Sequence, residues 1–442
     1  MTSLKTVESP PSRAVMRRVS TASAVGTTIE FYDFMIYGTA AALVFPTVFF
    51  PVLGNAAGTV ASFATFGVAF VARPLGSIIF GHFGDRVGRK RTLITTLLLM
   101  GIATVLIGVL PSAHTIGILA PIALVTLRVC QGLAVGGEWA GATLLTAEYA
   151  PPHQRGFYGV FPQLGPPLGF GLASATFLIV NRWAGETSDA FLAWGWRVPF
   201  LASALLVLIG LWVRLKVDET PVFTRQQAEA KATGRESSPV IAVFREQPRE
   251  LLLAAGAMTM LFAFFYLGTA FLTSYGTSAM GLDRETVLSL GILGALVFTL
   301  SVVISGTLSD KIGRRSIVLF SCIVSIPWAL VLFPILDGGT AWDFFVGLSG
   351  TLFIMGLSYG PAGSMLPEMF RTEYRYTGAG TAYSIAAAVG GGAAPILASW
   401  ISEIGESYQI GIMLACFGVL SSICLLFLTE TNRRAMEVKS ES

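Results

Sequence analysis

The chain has 442 residues, of which 53% are hydrophobic and 12% charged, and its net charge is +3. Soluble globular proteins carry about 25% charged residues because their surfaces must be hydrated. The composition, with a mean hydropathy of +0.70, therefore excludes an ordinary soluble protein and favours a surface that faces lipid. The small net charge gives no reason to expect a nucleic acid as a partner.

Twelve apolar runs are long enough to cross a membrane, for which about 20 residues are needed. The first run is longer than a signal peptide and shows no clear cleavage pattern, so we interpret it as a retained helix. The runs fall into two groups of six and lie near 22–48, 58–80, 92–111, 116–147, 157–180, 195–213, 250–272, 286–308, 316–336, 342–369, 377–400 and 408–428.

We therefore predict an all-α membrane protein with twelve transmembrane helices in two six-helix bundles. The predicted parts are an N-terminal tail (1–21), an N-terminal bundle (22–213), a polar linker (214–249), a C-terminal bundle (250–428) and a C-terminal tail (429–442).

The basic residues predict the orientation. Of the 29 Lys and Arg, 24 lie in the tails, the linker and the loops on one side, and Arg182, Arg197 and Arg284 lie on the other. Positively charged short loops remain on the cytoplasmic side of a membrane. Both termini and the linker are therefore expected in the cytoplasm.

The two halves repeat each other. The segment 81–90 recurs as 306–315 in the pattern G-x-x-x-D-[RK]-x-G-R-[RK], and a Glu followed seven residues later by Arg ends both the fourth and the tenth run. Glycines permit the tight turns, and the charged groups can join helix ends in one conformation and release them in another. Turn glycines with simple positive-inside charge are the alternative. The predicted gate residues are Asp85, Arg89, Glu148, Arg155, Asp310, Arg314, Glu368 and Arg375.

This loop motif, the six-plus-six layout and the central linker resemble the major facilitator superfamily. The resemblance implies pseudo-two-fold symmetry, a site at the midplane between the bundles, and alternating access by rocking of the bundles. A fold alone does not identify a substrate.

Ionisable residues inside a span cost about 2.5–3.5 kcal/mol each and therefore need a reason. Glu30, Asp33 and Tyr37 form one stripe of the first helix, with Asp33 about 15 Å from the cytoplasmic edge. The other such residues also lie in the first half, which predicts charge chemistry in the N-terminal bundle. They are Arg73, Arg128 and Glu138.

A buried carboxylate beside an arginine can gain and lose a proton as its surroundings change. We predict Asp33 as the coupling acid, with Glu30 second, and Arg128 as the partner of a substrate anion or of the acid. Static salt bridges that orient helices are the alternative, above all for Arg73 and Glu138. Sodium coupling would need an oxygen cage, which this residue set fits less well.

A closer resemblance, to the metabolite:proton symporter family, rests on the segments 26–37, 73–76, 128–132, 136–139, 161–165 and 194–200. The pattern is most similar to the branch with the shikimate carrier; other members carry 2-oxoglutarate, citrate, proline or betaine. The resemblance implies that family roles fall on Glu30 and Asp33, in proton coupling, and on Arg128, the arginine of the fourth helix. Arg371 stands where members commonly have proline, which adds charge at the inner gate.

Further candidates for substrate contact or charge relay have polar tips among apolar neighbours. Structural hydrogen bonding is the alternative for each of the tyrosines. Gln163 lies in a Pro-rich and Gly-rich part of the fifth helix, where transporter sites often occur. These candidates are Tyr32, Tyr37, Gln163, Tyr266, Tyr359 and Tyr383.

The sequence therefore predicts a monomeric secondary transporter of a bacterial inner membrane that imports a small organic acid with protons. Four cysteines and three histidines have no ligand spacing, so neither metal nor cofactor is expected, and no nucleophile–base set indicates an enzyme. The alternatives are a zwitterion importer, proton-driven efflux and a transport-dead membrane sensor. The sequence does not name the substrate.

Overall fold

The computed structural model describes residues 13–87, 89–185, 188–215, 239–371 and 374–432, and every regular element in these ranges is a helix. Eleven of the described helical segments are long and apolar enough to cross a membrane. The first helix is 31 residues long but less apolar, because it carries Glu30 and Asp33. The predicted all-α class with twelve spanning segments is confirmed.

The N-terminal bundle contains six spanning segments, two of which are interrupted. They are α1 (Arg13–Leu43), α2 (Gly54–Val87), α3 (Arg89–Val109), α4 (Leu119–Gly136 with Trp139–Tyr149), α5 (Arg155–Gln163 with Gly165–Ala184) and α6 (Val198–Leu215). Short helices at Phe45–Phe49, Ala113–Ile116 and Asp189–Ala193 lie between them.

The C-terminal bundle has six counterparts. They are α7 (Pro248–Tyr266, a π-helical turn Leu267–Phe271, and Leu272–Ser278), α8 (Arg284–Ile312), α9 (Arg314–Leu336), α10 (Ala341–Met369), α11 (Arg375–Ala386, a π-helical turn Ala387–Gly392, and Ala393–Ile404) and α12 (Tyr408–Leu426). A linker helix, Pro239–Glu246, precedes α7.

Helix packing repeats between the halves. The main pairs of the first bundle are α2 with α4, α1 with α5 and α3 with α6, and those of the second are α8 with α10, α7 with α11 and α9 with α12. The bundles meet through α5 against α8 and α2 against α11. Adding six to each helix number converts one set into the other, as a pseudo-two-fold repeat requires.

Close packing of α2 on α4 depends on glycine. A side chain at Gly132 would come within 2.7 Å of the Cα of Ala69, and one at Gly76 within 2.7 Å of the Cα of Leu133. Small residues let helix backbones approach in a membrane, where lipid offers no hydrophobic drive between helices. This packing sets the position of Arg73 and Arg128, which lie on the same two helices.

The structure bears on two of the predicted boundaries. The linker does not begin at 214, because α6 continues to Leu215 and the side chain of Arg214 is only 13% exposed. The C-terminal tail does not begin as a free segment at 429, because Thr431 is 1% exposed and bonded to α10. In both places a bond to a buried glutamate, Glu138 or Glu368, keeps the chain packed beyond the end of the apolar run.

We call the end of the molecule that carries the linker helix and the α8–α9 turn the linker face, and the opposite end the far face.

Candidate transport site

Asp33 lies inside the N-terminal bundle, and both of its oxygens are hydrogen-bonded. Oδ1 accepts from the Ser203 hydroxyl of α6 at 2.5 Å and Oδ2 from the Thr104 hydroxyl of α3 at 3.2 Å. The side chain is 1% exposed. Among the described residues this carboxyl group bonds to two hydroxyls and pairs directly with no cation. It can be charged or protonated there, because a hydroxyl can donate to the anion or accept from the acid.

A chain of hydrogen bonds joins Asp33 to Arg128. Arg128 Nη1 donates to Gln131 Oε1 at 2.9 Å, and Gln131 Nε2 donates to the Thr104 hydroxyl at 2.8 Å. The predicted direct pair of Arg128 with the acid is therefore not formed in this conformation. The amide and the hydroxyl are oriented by Arg128 at one end and by the carboxylate at the other, so the two charges are coupled without touching.

Arg128 is surrounded by aromatic rings. Its guanidinium carbon lies 4.0 Å from the ring centres of Phe34 and Tyr37 and 4.9 Å from that of Phe66. Cation–π contacts of this kind stabilise a desolvated cation. Within the described residues Nε and Nη2 have no hydrogen-bond partner, although the side chain is fully buried. Two adjacent unpaired N–H groups match the geometry of a carboxylate.

Arg73 and Glu30 lie beside this cage. The Arg73 guanidinium is 5.1 Å from the Phe34 ring and 5.3 Å from the Phe70 ring. Glu30 is 2% exposed, and neither of its oxygens bonds to any residue that the structure describes. Its electrostatic neighbours are Arg73, Arg214 and Asp33.

Glu138 pairs with an arginine that the sequence assigned to the linker. Its Oε1 accepts from Arg214 Nη2, and Arg214 Nη1 donates to the Leu93 carbonyl at 2.5 Å. Glu138 follows the Gly136–Gly137 interruption of α4, where Tyr376 of α11 donates to the Gly137 carbonyl at 2.5 Å. The interruption thus aims Glu138 towards α6 and offers a carbonyl to the other bundle.

Four residues form a closed ring across the bundle interface towards the linker face. Trp139 stacks on Tyr383 with ring centres 3.7 Å apart and planes 6° from parallel, and its Nε1 donates to Gln163 Oε1 at 3.1 Å. Gln163 Nε2 donates to the Tyr359 carbonyl at 2.8 Å, and the hydroxyls of Tyr359 and Tyr383 are 3.1 Å apart. All four are at most 3% exposed, so the centre is closed to solvent.

The remaining predicted tyrosines have different contacts. Tyr37 places its ring on Arg128 and its hydroxyl on Thr65 at 2.8 Å, and Tyr266 packs its ring 4.6 Å from that of Phe70 at the bundle interface. Tyr32 donates its hydroxyl to the Pro199 carbonyl of α6 at 3.0 Å and has no bond to Arg128. Like Asp33, which bonds to Ser203 of the same helix, it ties α1 to α6.

At the linker face the second repeat forms a latch onto the first bundle. Asp310 accepts from the backbone N–H of Gly156 at 2.8 Å and of Phe157 at 2.9 Å, both at the start of α5. Arg314 pairs with Asp310 at 2.9 Å and with Glu368 at 3.3 Å. These predicted gate residues therefore form one cluster that spans both bundles.

The other predicted gate residues are placed as follows. Arg155 lies in electrostatic range of Glu368 and Arg314, and Arg375 donates to the Phe370 carbonyl at 3.2 Å. Arg371, the residue that departs from the family pattern, pairs with Glu246 of the linker helix at 3.2 Å. The side chains of Asp85, Arg89 and Glu148 lie outside the part of the chain that the structure describes.

The segment after α12 completes the latch. Glu430 accepts from the backbone N–H of Arg314 at 2.9 Å and of Arg315 at 3.1 Å, and so caps α9. Thr431 donates to Glu368 at 2.8 Å, and Asn432 accepts from Arg314 at 3.2 Å. No apolar periodicity marks this segment, so sequence reasoning missed it.

The far face is also closed. Arg182 of α5 pairs with Glu285 of α8 at 2.5 Å, in an exposed position, and Phe63 of α2 contacts Phe271 of α7 with ring centres 6.5 Å apart. Within the described residues both faces are bridged by contacts between the bundles, and the charged residues of the centre are buried, as in an occluded conformation.

Sequence reasoning also missed Thr104, Ser203 and Arg214. Hydroxyls on apolar helices are too common to single out, whereas Gln131 was recoverable because it lies three residues after Arg128 on the same helix face. Arg214 follows an apolar run directly, so its charge alone assigned it to the loop.

Two six-helix bundles around a buried, charged and occluded centre define a membrane transporter of the alternating-access class. The family model of the Major Facilitator Superfamily matches residues 24–386. The chain is 44% identical to the inner membrane metabolite transport protein YhjE of Escherichia coli, covering 95% of each protein. It is 40% identical to the shikimate transporter of Escherichia coli, covering 94% of this chain and 95% of that protein.

A structure of the proton:xylose symporter XylE bound to 6-bromo-6-deoxy-D-glucose has the same fold. Its TM-score is 0.75 at 18% identity, with 96% of this chain and 98% of that chain covered. The chain belongs to the major facilitator superfamily, and it is a metabolite transporter, as the resemblance implied. Its relatives are transporters and not enzymes.

Proposed function

We propose that this protein imports a small organic acid together with protons, by alternating access. The observation that carries the proposal is the buried guanidinium of Arg128. It presents two unpaired N–H groups and is joined through Gln131 and Thr104 to the carboxyl group of Asp33. The relationship to a shikimate transporter, a protein named for a carboxylate, supports the same substrate class.

The arrangement couples anion and proton through charge. In a medium of low effective dielectric constant, the cation of Arg128 stabilises the anionic form of Asp33. A substrate carboxylate that binds Arg128 in a bidentate manner neutralises that cation. The negative charge of Asp33 is then no longer stabilised by Arg128, and Asp33 takes up a proton. The anion and the proton therefore bind together and leave together.

The gates make this binding directional. The latch around Asp310, Arg314 and Glu368 holds the linker face closed, and the Arg182–Glu285 pair with its neighbouring aromatic contacts holds the far face closed. We propose that these two sets of contacts break in alternation, as rigid rocking of the bundles requires.

We further propose the predicted orientation, with the linker face and both termini in the cytoplasm of a bacterial inner membrane and the chain active as a monomer. The distribution of Lys and Arg supports the orientation, and the name of the YhjE relative supports the location. The two bundles, 22–215 and 248–428, flank one complete site, so a single chain suffices.

The test is uptake into proteoliposomes under an imposed pH gradient, with a panel of hydroxylated acids, dicarboxylates, proline and betaine. Asp33→Asn should lose gradient-driven accumulation but keep exchange of substrate across the membrane, because an amide preserves the hydrogen bonds and cannot carry the proton. Arg128→Ala should lose both, by 100-fold or more, as expected when about 3 kcal/mol of charge-assisted bonding is removed.

Two residues outside the charged centre serve as matched controls. Asp343→Asn removes a carboxylate that caps α10, and Arg17→Gln removes an arginine at the linker face; both should transport normally. Accumulation by Asp33→Asn at the wild-type level would refute the coupling role. Uptake of betaine but of no acid would favour the zwitterion carrier, and outward transport under the same gradient would favour efflux.

A further inference from the structure

Arg214 is the third arginine in the core of the N-terminal bundle. It is the next-to-last residue of α6, and it donates to Glu138 of α4 and to the Leu93 carbonyl of α3. The carboxyl group of Glu138 is 0% exposed. These contacts clamp α3, α4 and α6 together towards the linker face.

The same guanidinium passes close to Glu30. Gly26 lies one turn before Glu30 on α1, and a Cβ at Gly26 would be 3.4 Å from Arg214 Nη2. Glycine therefore leaves the space between Arg214 and α1 free of a side chain. Arg214 and Glu30 interact electrostatically in this conformation.

Glu138 and Glu30 both have carboxylate oxygens without a hydrogen-bond donor among the described residues. Oε2 of Glu138 and both oxygens of Glu30 are buried and have no hydrogen-bond partner among the described residues. A buried carboxylate without donors is costly while it is charged. One guanidinium, with donors on two edges, lies between groups that both gain by binding it.

We infer that Arg214 is a shared counter-charge, held by Glu138 while Glu30 is protonated and drawn towards Glu30 when that proton leaves. This inference rests on the proposed proton coupling and adds a positioning residue to it. Because Arg214 also clamps the linker ends of three helices, its movement towards α1 loosens the clamp when the proton is released.

Other charged and titratable groups also face Glu30. Arg73 of α2 lies over two phenylalanine rings, has the larger electrostatic effect on Glu30, and leaves Nη1 without a partner among the described residues, so it is a constant positive neighbour; Asp33 is held by two hydroxyls. The phenols of α7, α10 and α11 also face Glu30, and two of them bond to each other; they are Tyr266, Tyr359 and Tyr383. Arg214 differs because its partner is itself a competing carboxylate.

The test is the pH profile of substrate exchange in proteoliposomes with equal pH on both sides. The inference requires that exchange proceeds only while Glu30, like Asp33, is protonated, so that exchange falls as pH rises. Glu138→Gln releases Arg214 towards Glu30, which should then hold its proton less tightly, so half-maximal exchange should move to lower pH. Arg214→Gln removes a cation from Glu30 and should move it to higher pH. Each shift should be about one pH unit.

If Arg214 only held the helices together, the two substitutions would have the same effect, because both break the same salt bridge. Shifts in the same direction, or equal losses of rate without any shift, would overturn the inference. In a Glu30→Gln background both shifts should disappear, and Arg17→Gln, at an exposed arginine of the same face, should leave the profile unchanged.

Two further measurements separate failure of the inference from other failures. Thermal unfolding in detergent shows whether each variant is folded, and Arg214→Lys, which keeps the charge, should return the profile towards that of the wild type. Wild-type accumulation under a pH gradient tests the proposed function independently. A wild-type protein whose exchange does not depend on pH would overturn both proposals.

Discussion

Replacing Asp310 by alanine should open the linker face. This carboxylate accepts from the backbone N–H groups of Gly156 and Phe157 on the opposite bundle, at 2.8 and 2.9 Å, and pairs with Arg314 on its own side. Asp310→Ala removes both bonds across the interface, while Arg314 keeps Glu368 and Asn432 as partners. The bonds to Gly156 and Phe157 exist only in the closed conformation, whereas the pair with Arg314 lies within one bundle, so the substitution destabilises the closed conformation relative to the open one.

The size of the effect follows from the geometry. A hydrogen bond to a charged group contributes about 1.5–3 kcal/mol, and the lower value applies because the Asp310 side chain is 11% exposed. Two such bonds give about 3 kcal/mol, which corresponds to a roughly 150-fold change in the ratio of open to closed forms. Asp310→Asn keeps one acceptor oxygen and should give about half this energy, or roughly 10-fold.

The rate of cysteine labelling measures the opening. Ser364 of α10 is fully buried, and its backbone N would lie 3.5 Å from a Cβ placed on Gly159 of α5.

 It therefore faces α5 across the closed interface. In a chain without the native cysteines, Ser364→Cys should react with a membrane-impermeant thiol reagent only while the linker face is open. Labelling from that face should accelerate roughly 100-fold with Asp310→Ala and about 10-fold with Asp310→Asn.

Lys311→Ala is the matched control, because Lys311 is the exposed neighbour of Asp310 on the same helix. It should change the labelling rate less than two-fold. An unchanged rate in folded Asp310→Ala protein would refute the latch. An equal acceleration by Lys311→Ala would assign the effect to the general charge of the loop instead.

Three smaller predictions concern other contacts. Arg182→Gln removes an exposed pair with Glu285, worth less than about 1 kcal/mol, so labelling from the far face should rise less than five-fold, and less still at high salt. Gly132→Val overpacks the contact of α2 with α4 and should cost about 3 kcal/mol; a thermal melt in detergent that matches the wild type would contradict this. Thr431→Val leaves Glu368 one donor short within the second bundle, about 1–2 kcal/mol, and should lower the melting temperature in detergent; a melt that matches the wild type would show that the C-terminal segment does not stabilise this cluster.

The sequence by itself determined the architecture, because the membrane imposes strong one-dimensional constraints. A span must be about 20 apolar residues long, and no lipid-exposed backbone group can be left unpaired. The twelve runs and the repeated loop motif therefore predicted twelve helices in two related bundles, which the structure confirms. The interruptions at Gly136–Gly137 and at the two π-helical turns escaped prediction, because they depend on neighbouring helices.

The sequence also selected the charged residues, since an ion inside an apolar run is conspicuous wherever its partner lies. It could not supply the partners. Asp33 and Arg128 seemed a direct pair, yet Thr104 and Gln131 stand between them. Their connection depends on how three helices pack, and on hydroxyl and amide groups that carry no charge to attract notice.

Only the tertiary structure shows which groups Arg214 contacts. In the sequence it follows an apolar run and resembles any basic residue at a membrane edge. In the fold its guanidinium turns inward to Glu138 and lies beside Gly26 of α1, because a buried carboxylate requires a cation. Hydropathy measures the cost of placing a charge in the membrane, whereas packing decides which opposite charge offsets that cost.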